Sequence, residues 1–320
     1  MALNTLQARA VVTMLQNGIS GGRAFAYKTD RWAKHPSSSV SDSRVELAPA
    51  DAEVLVHAGL LSEVTSGTVG YNLTPEGVAF AYPHVEMEHL NLEECLRFIL
   101  DLDYFVPDDR IDGQTAIPAI YVPGTSRLVL VLGENAGGKS FFRRLVSLAT
   151  SAGGRDNKAG PFPVREMIHL SMQGRTMGGP VRGFVYGTEN WQSTGENSAN
   201  TVHTGIRTVN NRTHTSIIYW DEPDIGMAAA AAAGTGIAIR EFVDSASPLV
   251  QGVFITSHSE PLVRQLAELD PHYLYLGNAD GPATLEDWFD AQRNPVPVSP
   301  KELMERSRNR YQLIQKILKK

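Results

Sequence analysis

The residues with the clearest chemical meaning form a glycine-rich stretch in the middle of the chain, residues 133–140, GENAGGKS. The pattern G-x-x-x-x-G-K-S binds phosphate groups when it joins a strand to a helix, because glycines let backbone N–H groups approach a polyphosphate. Its lysine would reach the β- and γ-phosphates, and its serine hydroxyl would bind Mg²⁺. The residues expected around the phosphates are Gly133, Glu134, Asn135, Ala136, Gly137, Gly138, Lys139, Ser140 and Phe141.

A pair of acids, Asp221 and Glu222, follows the apolar run of residues 217–220. Ligands of open α/β sheets bind at the carboxyl ends of the strands, where this pair would lie. Asp221 suits a direct or water-mediated contact with Mg²⁺, and Glu222 is placed to polarise an attacking water. Such a pair alone is typical of a solvated strand end. Together with the phosphate-binding pattern it predicts a hydrolytic site.

Three further short motifs occur in order along the chain. Gln173 follows residues 167–171 (MIHLS), Ser193-Thr194-Gly195-Glu196 precedes the acid pair, and His258 follows residues 252–256. Each has an ordinary alternative. Gln173 could face solvent, Ser193 could be a helix N-cap, and His258 could cap the end of a strand.

The order of these motifs resembles that of ABC-type ATPases over about residues 95–280. The resemblance implies ATP and Mg²⁺ as cofactors, with Ser193 and Gly195 in the signature motif. It implies catalytic roles for Lys139, Glu222, His258 and Gln173, and a metal site built from Ser140, Asp221 and Gln173. The preference for ATP over GTP rests on this resemblance, since the chain has no N-K-x-D guanine motif. Candidates for stacking on adenine are Tyr104, Phe105 and Tyr121.

The resemblance also implies a homodimer that forms through the ATP sites. Two copies would pair head to tail around two ATP molecules, and Ser193 and Gly195 of one copy would cap the γ-phosphate bound by the other. Thr194 stands where transporters usually have glycine, and the stretch between Gln173 and Ser193 is too short for a transporter's helical subdomain. The sequence Asp-Glu-Pro-Asp-Ile-Gly at 221–226 looks more like the branch that serves DNA repair and defence against phages and mobile elements.

Residues 5–82 resemble a winged helix-turn-helix module, with a helix, a short hairpin and a second helix opened by Thr74-Pro75. Such modules bind DNA or dock proteins, and the sequence leaves both open. Basic residues between 23 and 44 favour DNA. The candidate recognition segment, residues 49–60, instead carries Asp51 and Glu53 and no lysine or arginine, which disfavours contact with phosphates.

The elements that must position these residues are short apolar strands alternating with helices, which predicts an α/β fold. We expect a winged-helix-like α+β module over residues 1–84 and a P-loop NTPase domain of ABC type over 85–293. Residues 294–320 form a linker and a basic C-terminal helix, which could touch nucleic acid or a partner, or pack on its own domain.

Composition narrows the partners and the compartment. The 320 residues carry a net charge of −6, so contact with DNA or RNA would need a local basic patch. A single cysteine, Cys95, forms no intrachain disulfide and fits a reducing compartment, where it is best explained as a small buried residue. The absence of an apolar run near 18 residues predicts no membrane contact and a cytoplasmic location.

The sequence therefore predicts an ATP-hydrolysing dimer that acts on or senses nucleic acid, as a DNA-repair or antiviral-defence ATPase would. The alternative is an ATP-gated regulatory scaffold that docks a protein effector in trans and hydrolyses ATP slowly.

Overall fold

A computed structural model describes residues 3–20, 25–28, 45–64, 70–102, 104–105, 117–153, 158–171, 193–277 and 279–318. Contacts between residues divide the chain into two compact units. The first comprises Met1–His89 with the short segments Arg207–Ser216 and Ala246–Val250. The second comprises Leu90–Ile206, Ile217–Ser245 and Gln251–Lys320.

In its described residues, the first unit combines three α-helices with a four-stranded sheet whose strand order is β2-β1-β4-β3. Strands β1 and β2 are parallel, while β4 is antiparallel to both β1 and β3. Its elements are α1 (Thr5–Ile19), β1 (Phe25–Lys28), β2 (Val45–Leu47), α2 (Pro49–His57), β3 (Leu61–Val64), β4 (Gly70–Leu73) and α3 (Pro75–Ala81).

Local sequence explains where two of these helices begin. Asn4 and Gln7 form a capping box at the start of α1, each side chain bonded to the other's backbone N–H. Thr74 caps α3 by accepting a hydrogen bond from the N–H of Gly77 at 3.0 Å, as its sequence predicts. Of the five basic residues that favoured DNA in the sequence, Arg23, Arg31, Lys34 and Arg44 lie outside the described residues, and Lys28 is the last residue of β1.

The second unit is a mixed α/β structure around a six-stranded, mostly parallel sheet with the order β5-β10-β6-β9-β8-β7. Strand β6 is parallel to both β10 and β9, and β10 is antiparallel to the edge strand β5. The strands are β5 (Ala119–Val122), β6 (Leu128–Gly133), β7 (Glu166–Ser171), β8 (Ser216–Asp221), β9 (Val250–Thr256) and β10 (His272–Leu276).

The central strands are buried on both faces, which explains their unbroken apolar sequences. Every residue of β6, β9 and β10 is buried, and only the last residue of β8 is partly exposed. The described α-helices that lie wholly or mostly in this unit are α4 (Leu92–Leu100), α5 (Lys139–Ala149), α6 (Thr194–Asn210), α7 (Ala229–Ser245), α8 (Glu260–Leu266), α9 (Leu285–Arg293) and α10 (Pro300–Leu318).

Cys95 lies on α4 within the core of this unit and has no exposed surface. Burial raises the pKa of its thiol to about 12, so the thiolate is strongly disfavoured and the residue packs as a small apolar side chain. No helix in the described ranges has both the length and the apolar composition needed to cross a bilayer.

Leu130 provides a test of how far the second unit depends on its central strand. It is fully buried on β6, so Leu130→Ala should leave a cavity and lower the free energy of unfolding by about 2–5 kcal/mol. Urea denaturation followed by tryptophan fluorescence measures the change. Leu148→Ala is the matched control, since Leu148 is 67% exposed on α5 and its truncation should change stability by less than about 0.5 kcal/mol. Equal losses in both variants would contradict this account of the core.

Candidate functional site

The glycine-rich loop lies between β6 and α5, at the carboxyl end of β6. Gly133 and Gly138 have φ angles of 140° and 106°, which side-chain-bearing residues rarely adopt. A Cβ on Gly133 would lie 2.1 Å from the carbonyl oxygen of Leu276, and one on Gly137 would lie 2.5 Å from the same oxygen. The loop therefore packs its backbone directly on the end of β10, and only glycine permits that approach.

Lys139 extends back along this loop and is only 8% exposed. Its Nζ donates to the carbonyl oxygens of Gly133 and Glu134, each at 3.1 Å. Burial lowers the pKa of Lys139 to about 8, although the carboxylates of Glu222, Asp221 and Glu134 raise it in part. The charged ammonium is thus partly stripped of water, and an anionic ligand would offset the loss of solvation.

Thr256, the last residue of β9, connects the two acids to the sheet. Its Oγ1 donates to Oδ1 of Asp221 at 2.5 Å, and its carbonyl oxygen accepts from the backbone N–H of Glu222 at 3.0 Å. Thr256 has no exposed surface. Sequence analysis missed this residue, because a threonine at the end of a strand carries no distinctive signal.

Glu222 has a backbone φ of 55°, in the left-handed region. For a residue with a side chain this conformation costs about 1–2 kcal/mol, and such strain is common at functional sites. Its Oε1 lies 3.7 Å from Nε2 of His258. Burial is the main cause that raises the pKa of Glu222, and the charge of Asp221 raises it further.

His258 follows β9 and brings its ring to the lysine. Its Nε2 lies 2.9 Å from Nζ of Lys139. Burial and the charge of Lys139 lower the pKa of His258 to about 4. The imidazole is therefore neutral at pH 7, and its Nε2 can accept a hydrogen bond from the ammonium.

A cavity of about 410 Å³ joins the loop to the acids. Its size is that of a small-molecule site. It is lined by loop and α5 residues 135–141, by Asp221 and Glu222, and by Ser307, Arg310, Tyr311 and Ile314 of α10. An adjoining cavity of about 450 Å³ lies between residues 134–137, Gly277 and the same helix. Sequence analysis left the position of α10 open, and the structure places it on its own unit, beside the loop.

The predicted metal ligands can be placed in part. Ser140 is exposed, Asp221 is half-buried, and both line the larger cavity. Mg²⁺ in phosphate sites is usually bound by one or two protein oxygens together with phosphates and waters, so this pair fits the ion. Gln173 lies outside the described residues. Among the residues that are described, no three His, Cys, Asp or Glu side chains form a metal cluster.

Ser193 and Gly195 lie at the start of α6. Ser193 Oγ accepts from the N–H of Glu196 at 3.2 Å, and Oε2 of Glu196 accepts from the N–H of Ser193 at 2.7 Å. This reciprocal pair is a capping box, the ordinary alternative for the motif. A Cβ on Gly195 would lie 2.8 Å from the carbonyl oxygen of Gly226, so the helix start packs against the segment after β8. Neither Ser193 nor Gly195 lines the two cavities described above.

The three candidate aromatic residues differ in their access to the cavity. Phe105 is buried in the core. Tyr121 lies on β5, and its hydroxyl forms a hydrogen bond with Nδ1 of His272 at 2.9 Å. Tyr104 packs edge-on against Phe141, with ring centroids 5.1 Å apart, and Phe141 lines the larger cavity. Tyr311, which sequence analysis did not select, lines the same cavity and is 65% exposed.

Comparison with known proteins does not assign the chain to a family. No protein-family model matches the chain, and no curated protein matches it. One similar solved structure is a chain of the E. coli MS115-1 HORMA:CdnC:Trip13 complex, with 12% sequence identity and a TM-score of 0.30. The match covers 57% of this chain and 58% of that chain, and at this TM-score it carries no argument about function.

The lowered pKa of Lys139 predicts a pH-dependent difference in stability between the wild-type chain and Lys139→Met. The folded state releases the Lys139 proton near pH 8, whereas the unfolded chain keeps it to about pH 10.5. The unfolded state therefore binds more protons in this window, and wild-type stability should rise relative to the variant by up to about 1.4 kcal/mol per pH unit. Below about pH 8 both states are protonated and the difference should be constant.

Urea denaturation of both proteins between about pH 7 and 9.5 measures this difference. All other titrating groups are shared, so their contributions largely cancel in the comparison. A difference that stays flat across the whole range would show that folding leaves the Lys139 pKa unchanged.

Proposed function

We propose that this chain binds ATP with Mg²⁺ and hydrolyses it, as a P-loop ATPase of ABC type. The observation that carries the proposal is the position of Lys139. Its ammonium is buried against the carbonyl oxygens of Gly133 and Glu134, at a cavity that also contains Asp221 and Glu222. A desolvated cation beside two carboxylates and a glycine-rich backbone suits a phosphate–magnesium ligand.

Each residue of the site would have a role in ATP binding or hydrolysis that fits its chemistry. Lys139 and the loop N–H groups would bind the polyphosphate, and Ser140 and Asp221 would hold the metal. Mg²⁺, when bound, neutralises charge on the phosphate oxygens. Glu222 would accept the proton of the attacking water, and its raised pKa makes it a stronger base than a solvated carboxylate. Neutral His258 lies close enough to Glu222 and Lys139 to orient both.

The positions of the signature-like residues are compatible with a homodimer. Ser193 and Gly195 do not line the cavity that contains Lys139 in the same chain. In the head-to-tail arrangement of ABC-type ATPases they would instead cap the γ-phosphate bound by a second copy. We therefore propose that ATP joins two copies of this chain and that hydrolysis requires the pair.

The charge of helix α2 in the first unit helps to choose between DNA and a protein as the partner of the proposed ATPase. Helix α2 contains Asp51 and Glu53 and no lysine or arginine, and Asp51 accepts a hydrogen bond from Nε2 of Gln7 at 2.9 Å. An acidic helix is repelled by the phosphates that flank a DNA groove. This observation favours a second candidate function, an ATP-gated scaffold whose first unit docks a protein effector. The nucleic-acid role, in repair or phage defence, rests on the sequence resemblance.

Glu222→Gln tests the assignment of the base. We expect turnover to fall by about 10²- to 10⁴-fold, because the amide cannot accept the proton of water, while ATP binding persists. The variant should then elute as an ATP-dependent dimer in size-exclusion chromatography. Lys139→Ala should lose ATP binding and remain monomeric. The matched control is Glu286→Gln, an exposed glutamate on α9, which should behave as wild type. Normal turnover in Glu222→Gln would remove Glu222 from its role.

Turnover with and without double-stranded DNA separates the two candidate functions. A nucleic-acid-sensing ATPase should be stimulated several-fold by DNA, with an effect that weakens as salt increases. A scaffold should hydrolyse ATP at the same slow rate in both conditions and still form the ATP-dependent dimer. The measurement is steady-state phosphate release at several protein concentrations, since a dimeric site makes the rate rise more steeply than linearly.

A further inference from the structure

One face of the C-terminal helix α10 forms a wall of the candidate nucleotide cavity. Ser307, Arg310, Tyr311 and Ile314 have the spacing i, i+3, i+4, i+7 that places side chains on one side of a helix. All four line the cavity that also contains Lys139, Asp221 and Glu222. The sequence showed only a basic amphipathic segment at this position, with no phosphate-binding motif.

Three contacts hold this helix beside the loop. Ile314 packs against the hydrophobic core of the second unit. Nη1 of Arg306 lies 2.6 Å from Oε2 of Glu134, which is a loop residue. Nη2 of Arg310 donates to the carbonyl oxygen of Gly277 at 3.1 Å. Gly277 itself packs on the loop, since a Cβ there would lie 2.9 Å from Cα of Gly137. The position of Arg310 is therefore tied to the backbone that would surround the phosphates.

We propose that Arg310 is a second phosphate-binding residue of the nucleotide site, supplied by α10 of the same chain. The inference rests on the proposed ATP site and extends it to a residue outside the sequence motifs. A guanidinium has five N–H donors, and the bond to Gly277 uses one. Its planar fork matches two phosphate oxygens, which makes arginine well suited to this contact.

The charges in the cavity support this role. Lys139 faces the carboxylates Asp221 and Glu222, so its single positive charge is already opposed before a polyphosphate arrives. Arg310 is half-buried and adds a second cation to the same cavity. Arg306 pairs with Glu134 and so weakens the repulsion between that carboxylate and an incoming anion. The helix thus shifts the charge of the site towards binding phosphate.

The test measures the binding of ATP and of inorganic tripolyphosphate to the full chain, with Mg²⁺, by calorimetry. Arg310→Ala should weaken both by about 10- to 100-fold, the loss expected from removing a charge-assisted hydrogen bond. Arg308→Ala is the matched control. Arg308 is exposed on the same helix and does not line either cavity, so its affinities should stay within about twofold of wild type.

The outcomes separate this inference from the proposed function. Arg310→Ala could bind ATP as tightly as wild type, or more tightly, as expected for a helix that blocks the site. If Lys139→Ala loses ATP binding in the same experiment, the proposed role of Arg310 is wrong and the proposed ATP site stands. Loss of ATP binding with unchanged tripolyphosphate binding would also overturn a phosphate contact. Wild-type protein that binds neither ligand would overturn both proposals. Should Arg310→Ala not fold, Arg310→Lys carries the test, with a several-fold loss expected because the fork is absent.

Discussion

The candidate site depends on one backbone contact, in which the glycine-rich loop packs on the carbonyl oxygen of Leu276 at the end of β10. Any side chain at Gly133 or Gly137 would collide with that oxygen. Because the loop can lie so close, its own carbonyl oxygens point to a shared position, and Nζ of Lys139 occupies it. The ammonium is therefore buried, and it contacts two backbone carbonyl oxygens and Nε2 of His258. The glycines are thus needed for the lysine's environment as much as for the approach of a ligand.

Strand order explains how the acids reach this lysine. Strand β6 lies between β10, which shapes the loop, and β9, which ends at Thr256. Thr256 bonds the side chain of Asp221 and the backbone of Glu222, and these bonds hold Glu222 in its left-handed conformation. The strained backbone is stable because the buried hydroxyl of Thr256 donates to the Asp221 carboxylate, while its carbonyl oxygen accepts from the backbone N–H of Glu222. His258 lies two residues after the end of β9, so the same strand positions it beside Lys139.

The sequence predicted those parts of the site that depend on a pattern of neighbouring residues. The α/β class, the buried strand before the loop, and the acids at the end of β8 each have a local pattern of polarity or glycine. Thr256 and Arg310 have none, since their importance arises only when distant segments meet at one edge of the sheet. Ser193 is predicted by the sequence only in part. Its capping box depends on neighbouring residues and can be predicted from them, whereas a role at a nucleotide would depend on a second copy of the chain. Arg23, Arg31, Lys34, Arg44 and Gln173 lie outside the described residues, so the roles assigned to them stay predictions.

Charge balance links the loop to the C-terminal helix. A phosphate-binding loop gains nothing electrostatically from a carboxylate at its second position, yet Glu134 is there. Arg306 lies 2.6 Å from it, and the ion pair is partly exposed, so its contribution to stability is small. Its effect on an incoming anion is larger, because a paired carboxylate presents much less negative potential than an isolated one. The acidity of the loop and the position of α10 are therefore coupled. If the helix moved away, the loop would lose the two arginines together, and Glu134 would then face the phosphates unpaired.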